Sequence, residues 1–343
     1  MVVKRMLSLI LLWILVIRGY TEILTDPACY GEGLVFTCPQ VGNTKVNLED
    51  CESQGIYASG AIFNSIANYN DISVQDNSNV FASIMTIQEF LKKFDVPALT
   101  EVDVKGVVNE IKNSNIVKAG IFTSIDNLDD IVLQIQQFEV NNSSTKITST
   151  KIKSYGRTKA KQVAIIDLGV KDSIINEFLK RDIGVTVYPI DTQMELILAT
   201  RPNGIVLPNG PGNPNTFEHM DVINKINKTN LPILTIGLGT LLFANANNII
   251  VEKILSKIGQ NYKVLDIINN KQITIAQNTK YRIVESSIMQ TVESASFVDL
   301  KDKSIMGIDY SDKKIISVLF NPEGAPGPYD ANYIFDEFVK MFN

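Results

Sequence analysis

Residues 161–237 alternate short apolar runs with helical stretches, and this alternation limits the fold more than any other feature of the sequence. The apolar runs are typical of buried strands and cover 161–167, 184–190, 204–210 and 231–237. Helical stretches, among them 172–182, lie between these runs. Strands that alternate with helices pair in parallel, with helices on both faces of the sheet. The sequence therefore predicts an α/β domain with a central, largely parallel sheet over residues 161–343.

The part of the chain before this domain has a less regular sequence pattern. Residues 19–145 contain irregular loops, short apolar runs and two helical stretches, 86–99 and 102–115. Residues 141–160 are polar, aperiodic and rich in Ser, Thr and Lys, which is typical of a linker or an exposed hairpin. We therefore expect one domain at 19–145, a linker at 146–160 and a second domain after it.

An apolar segment, residues 1–18, precedes the first domain. Two basic residues come before an apolar run at 7–17, and this order resembles a secretory signal peptide. The run is too short to span a bilayer, and residues 18–20, Arg-Gly-Tyr, lack the small residues of a cleavage site. A cytoplasmic protein is the main expectation, and an organellar or secreted protein is the alternative.

Charge and cysteine content exclude several classes of function. The formal net charge of −5 and the pI near 5.2 argue against a nucleic-acid partner, which would require a basic face. The three cysteines, Cys29, Cys38 and Cys51, form no CxxC pair, so we expect neither a zinc site nor a complete set of disulfides. Free thiols in a reducing compartment fit this pattern.

Three unusual loops follow strands of the predicted sheet, at 208–214, 235–240 and 321–328. Ligand sites form beyond the carboxyl ends of parallel strands, so we expect the site at these loops. Gly237 stands at the centre of a strand–helix corner, the position that carries the reactive side chain in a G-x-nucleophile-x-G motif. Glycine tolerates the strained backbone of such a corner, but it cannot attack a substrate. A plain tight turn with small residues is the alternative interpretation.

The neighbouring loops supply few reactive groups. The loop at 208–214 can expose backbone amides to an oxyanion or a carboxylate. Glu323 offers a carboxylate at the same edge, but Asn321, where a triad would need a base, has no useful titration. His219 is the one histidine of the sequence, and we expect it on the solvated surface.

Many stretches of the sequence match one family. The N-terminal match is GYTEILTDPACYGEGLVFTCPQVGN at 19–43, which has the pattern G-Y-x-E-x-x-T-D-P followed by P-x-x-G-N. Further matches lie at 52–62, 96–112, 119–122, 163–175, 208–214, 273–278 and 321–338. On these residues the chain, from Gly19 to Phe342, resembles the small subunits of carbamoyl-phosphate synthetases. The second half of those subunits is a class I glutamine amidotransferase domain.

The resemblance implies a mixed β/α N-terminal domain that contacts the synthetase subunit, followed by an α/β amidotransferase domain. Small subunits of this family release ammonia from glutamine, and a tunnel carries the ammonia to a large ATP-using subunit. The large subunit makes carbamoyl phosphate from ammonia and bicarbonate for arginine and pyrimidine synthesis. The resemblance therefore implies a heterodimer with a large subunit, no cofactor in this chain, and ATP and metal ions on the partner.

The residues that would carry the chemistry depart from the family pattern. The nucleophilic Cys of the family falls at Gly237, and the catalytic His falls at Asn321. Only the third member of the triad is retained, as Glu323. Three further positions differ from the family, at Leu241, Thr279 and Lys280. The resemblance places the oxyanion and substrate region at Gly210, Gly212, Leu238 and Asn278.

Amide hydrolysis through a thioester needs a nucleophile and a proton shuttle. Loss of either costs roughly 10⁴- to 10⁶-fold in rate, by analogy with protease triads. We therefore expect a small subunit without glutaminase activity, which binds glutamine weakly and supports an ammonia-dependent synthetase. A scaffold protein without a synthetase partner is one alternative. An amidotransferase with another nucleophile is a second, although the resemblance assigns all three cysteines to the other domain.

Overall fold

The computed structural model describes residues 7–14, 19–67, 84–114, 118–122, 126–138, 143–289, 291, 293–311 and 313–342. The chain divides into two units, Met1–Val140 and Asn141–Asn343. Within the described ranges, every helix is too short or too polar to cross a membrane.

The described part of the N-terminal unit contains seven strands, five of which form one sheet. Its strands are β1 (Leu7–Ile14), β2 (Glu32–Phe36), β3 (Val46–Asn47), β4 (Gly60–Phe63), β5 (Ile84–Met85), β6 (Ala98–Leu99) and β7 (Lys118–Ile121). Its helices are α1 (Tyr20–Leu24), α2 (Ile87–Lys93), α3 (Val104–Ser114) and α4 (Leu128–Gln137). The sheet order is β6-β4-β2-β1-β7, and β3 pairs with β5 separately. Apolar residues of α3 and of the sheet share one buried cluster, so the mixed β/α character expected of this domain is confirmed.

The apolar run near the N-terminus contributes a strand to this sheet. β1 pairs in parallel with β2 over residues 10–14 and antiparallel with β7 over residues 7–10. We expected this run to precede the first domain, but an apolar strand with a neighbour on each edge is an internal part of it. Residues 15–17 of the run lie outside the described residues.

The C-terminal unit is an α/β fold around a ten-stranded sheet. Its strands are β8 (Lys153–Tyr155), β9 (Lys161–Asp167), β10 (Ile183–Pro189), β11 (Gly204–Leu207), β12 (Ile233–Ile236), β13 (Val251–Asp266), β14 (Lys271–Ile283), β15 (Ser294–Asp299), β16 (Ile305–Asp309) and β17 (Ile315–Val318). Its helices are α5 (Ser143–Ile147), α6 (Asp172–Lys180), α7 (Met194–Ala199), α8 (Met220–Asn227), α9 (Leu238–Ala246), α10 (Glu285–Ile288) and α11 (Tyr333–Lys340).

The centre of this sheet is parallel, as the alternation predicts. The parallel strands follow the order β10-β9-β11-β12-β17. β8 adds an antiparallel strand at one edge, and β16, β15, β13 and β14 extend the other edge in antiparallel pairs. The fold class predicted from the sequence is therefore confirmed.

Several boundaries differ from the sequence prediction. Of the helical stretch predicted at 86–99, α2 covers Ile87–Lys93 and the last two residues form β6. β8 lies within 146–160, which we expected to be a linker, because a polar strand at a sheet edge needs only backbone pairing with β10. β11 ends at Leu207, three residues before the end of the predicted run at 204–210, because the loop that follows turns toward the start of α9.

The register of the sheet brings three loops together. Leu207 pairs with Thr235, and Ile236 pairs with Val318. β11, β12 and β17 therefore end side by side, and the loops that leave them start at the same edge of the sheet.

Candidate active site

The corner between β12 and α9 has the backbone of a nucleophile-bearing turn. Gly237 has φ 54° and ψ −114°, a region that L-residues with a side chain occupy only under strain. Its N–H donates to the carbonyl of Val318 at 2.9 Å, and its own carbonyl accepts from Leu241 at 3.2 Å. The corner is therefore fixed on both sides, and glycine adopts its conformation without steric cost.

Three buried hydroxyl groups form hydrogen bonds beside this corner. The Oγ1 atom of Thr235 lies 2.9 Å from Oγ1 of Thr240 and donates to Oγ of Ser317 at 2.8 Å. Thr240 in turn donates to the carbonyl of Val318 at 2.7 Å. These bonds join β12, α9 and β17. The sequence offers one signal for them, since two hydroxyl residues interrupt the apolar segment at 231–244.

A side chain from the loop at 208–214 covers the corner. The carboxamide of Asn209 is buried, and its Oδ1 accepts the N–H of Leu238 at 2.9 Å. A Cβ atom added to Gly237 would lie 2.3 Å from the same Oδ1. The sequence places Asn209 in a candidate loop but does not distinguish it from its neighbours, because loop composition does not show which side chain turns inward.

The glycines of this loop allow close backbone packing. A Cβ on Gly210 would lie 1.8 Å from the carbonyl oxygen of Leu168, and Gly212 has φ 128°. The structure therefore places Gly210 against the end of β9, where a larger residue would not fit. This contact explains the choice of glycine at 210, and the oxyanion role suggested by the resemblance stays a prediction.

Asn321 and Asn278 are brought to the same region by β14. The N–H of Asn321 donates to the carbonyl of Ala276 at 2.9 Å. Asn278 follows two residues later on the same strand, so its side chain lies on the same face as that of Ala276. Asn321 is buried, and its Oδ1 accepts no hydrogen bond from the described part of the protein. An amide here cannot move a proton at neutral pH.

The first position after Asn278 holds a side chain that bonds within its own strand. Thr279 is buried, and its hydroxyl donates to the carbonyl of Tyr281 at 2.8 Å. Its Oγ1 also accepts the N–H of Tyr281, so this side chain serves the strand itself. Lys280 is half-buried beside it, and Leu241 lies buried in α9 as an apolar core residue.

The carboxylate of Glu323 is held by a lysine. Nζ of Lys171 lies 2.6 Å from Oε1 of Glu323, and both side chains are 1% exposed. The same Nζ donates to the carbonyl of Ala325. Lys171 follows β9 at the carboxyl edge of the sheet, and this position after a buried strand is the one signal for it in the sequence. Glu323 therefore acts here as the partner of a buried cation.

His219 and the cysteines lie elsewhere. His219 is half-buried just before α8, with its ring centroid 6.1 Å from that of Phe217. The three cysteines are free thiols of the N-terminal unit. Burial, together with the charge of Asp50, raises the pKa of the Cys51 thiol to about 11, and burial also raises the pKa of Cys38. Protonated thiols are weak nucleophiles, so these two groups are poorly suited to attack an amide.

Comparison with known proteins identifies the family. Residues 13–121 match the family described as carbamoyl-phosphate synthase small chain, CPSase domain. Residues 164–341 match the class-I glutamine amidotransferase family. The chain belongs to the carbamoyl-phosphate synthase small-chain family. The resemblance drawn from the sequence is thereby confirmed.

Small chains of this family from several bacteria align along nearly the whole chain. The small chain of Clostridium perfringens is 34% identical over 325 residues, which cover 94% of this chain and 89% of the relative. That of Listeria innocua is 32% identical over 327 residues, which cover 95% and 88%. A solved structure from Thermoplasma acidophilum, described as part of a GMP synthase, aligns at 18% identity and a TM-score of 0.46, and covers 53% of this chain and 93% of its own.

The groups at the corner already have partners. The strained turn, the start of α9 and a buried carboxylate lie at the same edge of the sheet. Gly237 provides no atom that could attack, and the Leu238 amide already donates to Asn209. The carboxylate of Glu323 has a lysine partner and no imidazole at position 321 to orient.

Proposed function

We propose that this protein is a carbamoyl-phosphate synthase small chain that has lost glutaminase activity. The observation that carries this proposal is the strained corner with glycine at its centre. A thioester route needs a sulfur or oxygen nucleophile at that point, together with a group that moves a proton. Gly237 and Asn321 supply neither, so water would have to attack without activation.

We further propose that the chain pairs with a large synthetase subunit in the cytoplasm. That subunit would bind ATP and metal ions and would form carbamoyl phosphate from free ammonia and bicarbonate, for arginine or pyrimidine synthesis. The match of residues 13–121 to the family's CPSase domain supports a retained partner. The free thiols support a reducing compartment.

A glutaminase assay on the purified protein tests the first proposal. The control is a family member that carries Cys at the position of Gly237. We expect a rate of glutamine hydrolysis at or below roughly 10⁻⁴ of that control, since both the nucleophile and the shuttle are missing. Turnover close to the control rate would refute the loss of activity.

A reconstitution assay tests the partner. The protein is mixed with a large synthetase subunit, and carbamoyl phosphate is measured with either ammonia or glutamine as the nitrogen source. We expect a stable complex that makes product from ammonia but not from glutamine. Failure to form a complex would favour the scaffold alternative, in which the fold serves another interaction.

A further inference from the structure

We infer that Asn209 is an internal carboxamide plug, which fills the space of the lost nucleophile and occupies the amide that would otherwise bind the substrate carbonyl. The inference deepens the proposed function, and it rests on that proposal in taking Gly237 as the position of the nucleophile. It assigns to Asn209 a role in deciding which ligand can enter the corner.

The side chain of Asn209 occupies the space that a side chain at position 237 would fill. A Cβ atom at position 237 would lie 2.3 Å from Oδ1, 2.4 Å from Cγ and 2.9 Å from Cβ of Asn209. Carbon atoms of real side chains do not approach other heavy atoms so closely. The present position of the Asn209 side chain and any side chain at 237 therefore exclude each other. Asn209 can occupy this position because residue 237 is glycine.

Asn209 also accepts a hydrogen bond from the start of α9. The N–H of Leu238 is at the first residue of α9, where helix amides lack intrahelical partners and carry partial positive charge. It donates to Oδ1 of Asn209 at 2.9 Å. The amide that follows the nucleophile is the expected oxyanion donor in such a corner. That donor is therefore already bound to a carbonyl oxygen.

Asn209 and the substrate glutamine carry the same functional group. The side chain of asparagine ends in the same primary carboxamide as the side chain of glutamine, so Asn209 presents the functional group of the substrate. An acceptor that is tethered in place competes with a free ligand at a high effective concentration. The Nδ2 atom of Asn209 is buried and donates to no group in the described ranges of the chain. The contact with Leu238 is thus the one hydrogen bond that orients this side chain among those ranges.

The plug has two consequences for ligands. The carboxamide of free glutamine cannot reach the Leu238 amide while Asn209 is in place. A thiol introduced by Gly237→Cys would also meet Asn209 before it met any substrate. Opening the corner therefore requires the Asn209 side chain to move or to be replaced.

Binding of glutamine to three proteins tests this inference. They are the wild type, Asn209→Ala, and Asn203→Ala as a matched control. Asn203 is half-buried and its Oδ1 likewise accepts a backbone N–H, that of Gln162 at 2.9 Å, but it precedes β11 at the opposite end of that strand. Each protein is labelled with ¹⁵N-leucine, and the Leu238 resonance is followed during a titration.

We expect the Leu238 resonance to move with glutamine only in Asn209→Ala. Glutamine should bind that variant about ten-fold more tightly than wild type, which corresponds to one added hydrogen bond of ordinary strength. A wild-type Leu238 resonance that shifts at saturating glutamine would overturn the inference. Equal binding by all three proteins, with no shift in Asn209→Ala, would overturn it as well.

Hydrogen exchange on the wild type provides a measurement that does not depend on folding of the variant. The Leu238 amide should exchange roughly ten-fold more slowly than an amide open to water, since it is bonded and buried. Fast exchange in the wild type would contradict the plug. The glutaminase assay is separate: an inactive protein that nevertheless binds glutamine at Leu238 would refute the plug and leave the proposed function intact.

Discussion

Lys171 and Glu323 form an ion pair that is almost completely removed from water. With each side chain 1% exposed, neither charge is solvated by bulk water, and each depends on the other for a counter-charge because desolvation in the interior is costly. Oε2 of Glu323 has no hydrogen-bond partner in the residues that the structure describes. The pair therefore matters more for stability than an ion pair on the surface would.

Removal of one member of this pair should destabilise the C-terminal unit strongly. We expect Lys171→Met to lower the free energy of unfolding by about 3–5 kcal/mol, because it leaves the Glu323 carboxylate buried without a counter-charge. The double variant Lys171→Met/Glu323→Gln should be more stable than Lys171→Met alone. Urea denaturation followed by circular dichroism measures both.

The control for this experiment is the exposed pair of Lys159 and Asp182, whose side chains are 38% and 78% exposed. Lys159→Met should change the stability by less than about 1 kcal/mol. If the double variant is no more stable than Lys171→Met, the buried pair does not act as we describe.

At the scale of elements, β1 is a strand that the sequence pattern alone does not identify. The apolar run at 7–14 has no alternation to distinguish a strand from a targeting segment. Its neighbours, β2 and β7, come from residues 32–36 and 118–121, and local composition contains no information about such distant pairing. β8 was not predicted because it is polar: its residues lie at the sheet edge and have the composition of a linker.

Deletion of residues 1–18 should therefore disrupt the N-terminal sheet. β2 would lose one of its two parallel partners and keep β4, and β7 would lose the strand to which it pairs. We expect the amides of Glu32–Phe36 to lose protection in hydrogen exchange followed by mass spectrometry. Deletion of residues 1–6 alone, which removes no residue of β1, is the control. Full protection of β2 in the longer deletion would show that β1 is dispensable.

Some site residues could be placed from the sequence, and others only from the structure. Gly237, Asn321 and Glu323 could be placed from the sequence because they follow strands of a parallel sheet, whose carboxyl ends meet at one edge. Lys171 follows such a strand too, but only the folded backbone shows that it reaches Glu323, 152 residues away. The inward direction of Asn209 depends on the loop conformation, which loop composition does not determine.

At the scale of the whole molecule, the chain consists of two units with separate sheets. The alternation of strands and helices was sufficient to predict the parallel centre of the second unit. It did not predict that β13 pairs with β15, because β14 lies between them in the chain and such pairing is set by tertiary contacts. The second unit has its own apolar core, in which Phe178 packs edge-on against Phe335 at 5.4 Å.

We expect the fragment 141–343 to fold by itself, because its sheet and core are internal to that range. A shorter fragment, 161–343, should have a lower midpoint of urea unfolding. It loses β8, and it loses the bonds that Ser149 makes to Asp167 and Thr148 makes to Ile190. Circular dichroism during urea unfolding compares the two. An unfolded 141–343 fragment, or equal midpoints, would contradict this expectation.

The overlap between Asn209 and position 237 also has a consequence for attempts to engineer activity into this chain. A Gly237→Cys substitution would place its Cβ atom in volume that the Asn209 side chain now occupies, so the neighbouring loop would have to adjust. The substitution would also leave an amide at position 321. On the proposal that positions 237 and 321 belong to a lost triad, one substitution would not restore ammonia release, and an engineered revertant would need changes at several positions around the corner.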